Sequence, residues 1–202
     1  NPPWIKLSWN EQNVLCESNP LLAVKKTSAA EVTKIRGIEL QDQIALRIYF
    51  EEYISLAGMQ NFLDSKQNYA ELAGQQSNLY KCFIPKSFYL GNDHSVTGLL
   101  HPDSVYDDPN GDLLRKEIYK RLRKHFQFMN MLKLFPDVHS NVVYSINVYS
   151  NIFTESFEMI GNLYWPTAID ESYSYPADYP LEGLRDGDDN WSRHGNPKRV
   201  IV

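Results

Sequence analysis

The chain is 202 residues long, 43% hydrophobic and 22% charged, with a formal net charge of −5. These values describe a globular chain long enough to bury a core and exclude a disordered or fibrous one. The negative balance argues against a free-standing nucleic-acid binder, and no apolar run approaches the roughly 20 residues that span a bilayer.

The opening Asn1-Pro2-Pro3-Trp4 has no basic stretch followed by an apolar one, so neither secretion by a signal peptide nor a membrane partner is expected. Cys16 and Cys82 form no C-x-x-C pair and read as small buried hydrophobes in a reducing cytoplasm. Thirteen tyrosines and four tryptophans supply cores and stacking surfaces.

In chain order, residues 1–39 read as a loop plus one helix. Across residues 40–64, Ile44, Ile48, Tyr49, Phe50, Tyr53, Ile54 and Leu56 recur near helical spacing, which predicts one or two helices with a break near Gly58. Residues 77–84 predict a helix capped at Ser77, with Leu79, Cys82 and Phe83 on one side; Pro85 either kinks it or closes it. Gly91-Asn92-Asp93 is a turn, and residues 95–102 read as a short buried strand ending at proline.

Asp107-Asp108 before Pro109 reads as turn chemistry and capping for the next helix. From Asp112 to Lys124, Leu114, Ile118 and Leu122 repeat every four residues, with Arg115, Lys116, Lys120, Arg121, Arg123 and Lys124 on a face that reads as the solvated side of an outer helix, the other reading being a contact with phosphate. Residues 125–134 and 142–149 predict two strands, the second rich in β-branched and aromatic residues. The order strand, helix, strand, strand implies an α/β sheet with an antiparallel pair at one edge. Residues 151–202 carry prolines, tyrosines and acids without periodicity and read as an extended appendage.

Asn-Pro-Pro followed by an aromatic arises by chance in about one random chain in several hundred of this length. Proline fixes its own φ near −65° and pushes the preceding residue out of the helical region, so Asn1-Pro2-Pro3 is a stiff bend able to hold acceptors still. This tetrapeptide resembles the catalytic motif of amino-directed DNA methyltransferases, which move a methyl from S-adenosyl-L-methionine to the 6-amino group of adenine. Residues 78–85 are similar to the helix that follows the motif in large fused restriction-modification methylases, residues 95–102 to the next strand, and residues 101–106 to its loop. The helix from Asp112 and the strands 125–134 and 144–149 resemble the last helix and antiparallel edge of that sheet.

The resemblance implies a partial Rossmann-like, S-adenosylmethionine-dependent methyltransferase fold over residues 1–150, with an insertion at about 10–76 that shapes the DNA cleft. It implies that Asn1 and Pro2 are the carbonyl acceptors that localise the lone pair of the adenine amine, Pro3 the stiffener and Trp4 the stacking wall. Acceptors arranged before charge develops are worth roughly 3 to 4 kcal/mol each, and base stacking about 1 to 3 kcal/mol. Tyr80 and Lys81 are the implied cofactor contacts, and double-stranded DNA with its adenine flipped out is the implied partner.

The chain departs from the family in having no G-x-G for the cofactor. It therefore reads as a fragment of a longer polypeptide from a restriction-modification or phage-defence system, inactive alone and completed by the rest of its parent. A free α-amino group at Asn1 would itself disturb the site. Two other readings stand beside this one: a methylase-like module that positions DNA without chemistry, and methylation of an amide or amine in protein or RNA. His94, His101, His125, His139 and His194 lack paired ligand spacing, so no metal site is expected. Ser104 lies in no G-x-S-x-G elbow, and nuclease signatures are absent.

Overall fold

A computed structural model describes residues 1–25, 27–76, 78–174 and 200–201. Four helices occupy the first third: α1 (Glu11–Leu15), α2 (Leu21–Val24), α3 (Ala29–Glu39) and α4 (Gln43–Asp64). Side-chain caps start three of them. Asn10 accepts from Asn13 N–H, Ser28 and Glu31 form a reciprocal capping box, and Asp42 accepts from Ile44 and Ala45 N–H. Leu15, Leu22 and Val32 make a small core here with Ile35, Leu40 and Tyr49 against it, separate from the two cores of the sheet.

Helix α4 runs unbroken through Gly58, whose absent side chain faces open space. Only Ala45 and Leu63 on α4 are buried, and Ile44 and Ile54, two of the helically spaced apolar residues, are 72% and 65% exposed. The loop plus one helix expected before residue 39 is instead three helices.

Helix α5 (Leu79–Leu90) begins at Asn78 and continues through Pro85, so the proline neither closes it nor sets its boundary. Its inward face is Tyr80, Lys81, Cys82, Ile84 and Pro85, whereas Phe83, expected on one side with Leu79 and Cys82, is 48% exposed. Strand β1 (Val96–Pro102) follows, then the short helix α6 (Ser104–Asp107) and helix α7 (Asp112–Arg121), which passes directly into strand β2 (Leu122–Met129). Leu114, Ile118 and Leu122 are all fully buried, so the four-residue repeat correctly marks burial although its last member is already extended. Residues 130–134, expected to prolong β2, leave it through a 3-10 turn at Asn130–Leu132.

Strand β3 (Val143–Ser150) lies antiparallel between β1 and β2, pairing Leu100 with Ile146 on one side and His125 with Asn147 on the other. Strand β4 (Glu158–Leu163) then runs parallel to β2, giving a mixed sheet in the order β1-β3-β2-β4. The two-residue β5 (Val200–Ile201) pairs antiparallel to β4. The expected antiparallel pair, β2 with β3, is present, but it is flanked by β1 and β4 rather than placed at an edge. The chain is a mixed α/β protein.

Side chains alternate across a sheet. Phe126, Phe128, Tyr144 and Ile146 face one side, packing with Ile160 and Leu163 of β4 and Ala168 of α8 (Thr167–Tyr173). The other side meets Tyr80 and Ile84 of α5 and Leu114 and Ile118 of α7. Strand β4 and helix α8 both fall in the stretch expected to be an aperiodic appendage. The acidic segment 186–189 and the basic residues around it lie outside the described residues.

Truncating Ile160, 1% exposed, to alanine should destabilise the fold by about 2 to 5 kcal/mol in urea unfolding. Phe83→Ala, on the outer face of α5, should change stability by no more than about 0.5 kcal/mol, as surface substitutions do.

Candidate functional site

The N-terminal segment lies along the junction of α5 and the sheet. Leu79 N–H donates to the Ile5 carbonyl at 2.9 Å, Lys6 and Asn78 form an antiparallel bridge, and Gln60 Nε2 donates to the Leu7 carbonyl at 3.0 Å. Asn1 and Pro3 are exposed, Pro2 is buried and Trp4 is half-buried. The Trp4 indole N–H donates to the Leu100 carbonyl of β1 at 3.4 Å, and its rings tilt against Phe135 at 5.1 Å and Tyr144 at 5.8 Å. Trp4 packs against both cores of the sheet. Among the described residues, neither the Asn1 side-chain amide nor the Pro2 carbonyl has a hydrogen-bond partner.

Beside the indole lies a cavity of about 630 Å³, lined also by Pro102, Asp103, Gln127, Val138 and Val143. Strands β1, β2 and β4 run in one direction, and the cavity opens where β1 and β2 end, the position at which open α/β sheets hold ligands. A second cavity of about 430 Å³, lined by Lys6, Asn78, Lys81, Asp108 and Asn110, shares Ser104 and Asp107 with the first. Helix α6 is therefore a common wall. The Asn78 Oδ1 atom is buried without a hydrogen-bond partner among the described residues.

The two residues implied as cofactor contacts are placed differently. Tyr80 is fully buried, stacked on His101 with ring centroids 5.5 Å apart, and its hydroxyl is hydrogen-bonded to Ser104 Oγ at 2.9 Å. Burial pushes its phenol up to about 12. Lys81 is 6% exposed; its ammonium donates to Gln75 Oε1 at 2.9 Å and to Asp108 Oδ2. Asp108 Oδ1 also accepts from Asn110 N–H, so the turn reading of Asp108 is right, whereas the cap position of α7 is Gly111.

Beneath both cavities a polar network fills the helix-facing side of the sheet, and sequence reasoning did not assemble it. His101 Nδ1 bonds the Pro102 carbonyl at 2.9 Å, while its Nε2 meets Tyr149 Oη at 2.9 Å and Asn147 Nδ2 at 3.0 Å. Asn147 Oδ1 accepts from the Tyr106 hydroxyl and from His125 Nδ1, each at 2.7 Å. Burial pushes the His101 imidazole down to about 4, so it is neutral near pH 7. Burial likewise raises the Tyr106 and Tyr149 phenols, which stay protonated donors. The available signal was the spacing of Ser145, Asn147 and Tyr149 at every second residue of β3.

The basic face of α7 is largely engaged within the fold. Arg115 donates to the Asp108 carbonyl, and Lys120 and Arg121 pair with Glu117 at 2.6 Å. The Arg121 guanidinium also lies over the rings of Phe88 and Phe153, at 4.9 and 4.8 Å. Arg123 and Lys124, expected on the helix, lie on β2, where Arg123 donates to the Ile152 carbonyl and Lys124 to Glu158 and Tyr173. Cys82 is a buried free thiol raised to about 11 by burial, which leaves it a poor nucleophile; Cys16 is half-buried. Among the described residues no three His, Cys, Asp or Glu side chains converge as a metal site, and no helix is long and apolar enough to cross a membrane. No known protein family matches the chain, and no curated protein matches its sequence.

The hydrogen bond from Lys81 holds the Asp108 carboxyl below its ordinary value of 3.8. The corresponding stabilisation is complete above that ordinary value and is lost as the pH falls through the lower folded one. Asp108→Asn should flatten this acid limb of the stability curve, read as thermal midpoints between neutral and strongly acid pH. Lys81→Met should destabilise at neutral pH by about 1 to 3 kcal/mol, because it leaves the partly buried Asp108 carboxylate without the ammonium that donates to it.

Proposed function

We propose that the chain is the carboxy-terminal part of the catalytic domain of an S-adenosyl-L-methionine-dependent DNA adenine-N6 methyltransferase, with Asn1-Pro2-Pro3-Trp4 as its catalytic bend. The observation that carries the reading is the position of that tetrapeptide: its indole borders a cavity large enough for a flat ring, at the carboxyl ends of β1 and β2. Two parallel strands joined through α7, with antiparallel β3 against both, suit the Rossmann-like half-domain that the resemblance implies. Asn1 Oδ1 and the Pro2 carbonyl are the acceptors for the two amino N–H bonds, which lets the nitrogen pyramidalise and direct its lone pair at the methyl. Trp4 holds the ring from one side, and its N–H anchors it to β1.

S-adenosyl-L-methionine supplies the electrophilic methyl when bound. The residues present fit it incompletely: there is no glycine-rich turn, Tyr80 is sealed in the core, and the ammonium of Lys81 is already neutralised by Asp108. The cofactor site is proposed to belong to the remainder of the parent polypeptide.

The test is transfer of labelled methyl groups to adenine-containing duplex DNA. The 202-residue chain alone should give no turnover. In a longer polypeptide that carries this segment with a cofactor domain, Asn1→Ala should lower kcat by about 10²- to 10³-fold, as loss of one preorganised polar group does. Unchanged kcat in that variant would refute the assignment.

A further inference from the structure

We infer that the outward face of α4 is an interface between two copies of this chain, which lay their α4 helices antiparallel about a two-fold axis level with Tyr49. The inward face of the helix is already engaged. Ala45 and Leu63 are buried, Tyr49 packs on the small helical core and donates to Glu11 at 2.6 Å, and Gln60 Nε2 donates to the Leu7 carbonyl. At 3.6 residues per turn, Ile44, Arg47, Glu51 and Ile54 form one stripe on the opposite side, all four exposed. Ile48 and Phe50 flank the stripe and are also exposed. The groove along it, about 780 Å³, is lined by α4 residues alone, Ile44, Arg47, Phe50, Glu51 and Ile54 among them. A solvated helix face carries polar side chains, whereas this one offers three isoleucines and a phenylalanine to a partner.

The identity of the partner follows from symmetry. A two-fold contact puts the same patch on both sides, so the patch must complement itself. About Tyr49 it does: Ile44 and Ile54 lie five positions to either side, Arg47 and Glu51 two, and Ile48 and Phe50 one. Antiparallel helices therefore set Ile44 against the partner's Ile54 and Arg47 against the partner's Glu51, each contact made twice. The three-four-three spacing is that of a coiled-coil seam, with Ile44 and Glu51 at a and Arg47 and Ile54 at d.

Within one helix Arg47 Nε and Glu51 Oε1 already stand 3.1 Å apart, so pairing makes a square of alternating charge. A parallel pair would instead oppose arginine to arginine and glutamate to glutamate, which repel. Charge thus sets the orientation, and the apolar side chains supply the contact. The paired stretch covers 11 residues, roughly 16 Å of helix, which is small for a protein interface, so the dimer is a reversible one. This inference does not depend on the methyltransferase reading.

Sedimentation equilibrium over a range of concentrations tests it. The 202-residue chain should dimerise with a dissociation constant of about 1 to 100 µM. Arg47→Glu and Glu51→Arg should each weaken the dimer at least about tenfold. Both positions are exposed, so circular dichroism should show the fold retained. Equimolar mixing of the two variants should restore association, because one helix then carries acids where the other carries bases, and so should the double variant Arg47→Glu/Glu51→Arg. The inference would be overturned by a chain that stays monomeric at about 300 µM. A dimer indifferent to either charge reversal, or a weakened one that mixing and the double exchange do not both restore, would overturn it as well. The monomeric result would leave this face to the remainder of a longer polypeptide, and the indifferent dimer would place self-association elsewhere on the chain.

Discussion

The arrangement hangs on a single buried amide. Asn147 joins His101 of β1, His125 of β2 and Tyr106 of α6, and His101 and Tyr106 are bonded onward to Tyr149 of β3. Leaving any one of these buried groups without a partner costs about 1 to 3 kcal/mol, so the network forms almost completely or the strands do not pair this way. It also fixes register. A slip of β3 by one residue would turn Ser145, Asn147 and Tyr149 toward Phe126 and Phe128 and leave the histidines facing apolar side chains.

A cavity lies beyond the same strand ends. Gln127 of β2 and the Val143 carbonyl of β3 hold Asp103 just beyond the end of β1, and the N-terminal segment brings Trp4 across the same strand end, so a carboxylate and an indole line one space though 99 positions apart in sequence. Neither placement depends on local propensity. Trp4 is held by a single indole bond to β1 and by two aromatic neighbours, and its exposed side is what the cavity sees.

Much of the fold was readable because the relevant elements are periodic. Leu114 and Ile118 announce α7, and the β-branched and aromatic run of residues 143–150 announces β3. Strand β4 was invisible for a definite reason: Asn162 has a left-handed backbone, φ 56°, and the register against β2 shifts there, so Ile160 and Leu163 share a core across an odd spacing. The overrun of β2 has a comparable origin, since Asn130 bonds the Phe135 and Val138 carbonyls and turns the chain away from the strand. At the site, Asn1 to Trp4 stood out by rarity. Asp103 did not, because nothing local to His101-Pro102-Asp103 reveals the glutamine that positions it from β2.

The engaged cations of α7 bear on how this surface would meet a polyanion. Affinity for a nucleic acid rises as its condensed counterions are displaced, and a side chain already neutralised by a neighbouring carboxylate displaces fewer of them. Lys120 and Arg121 are in that condition, with Arg121 further fastened between two phenyl rings. The ionic-strength sensitivity of any DNA complex would therefore arise mostly away from this helix, and counting its lysines and arginines overstates the helix's pull on a phosphate backbone.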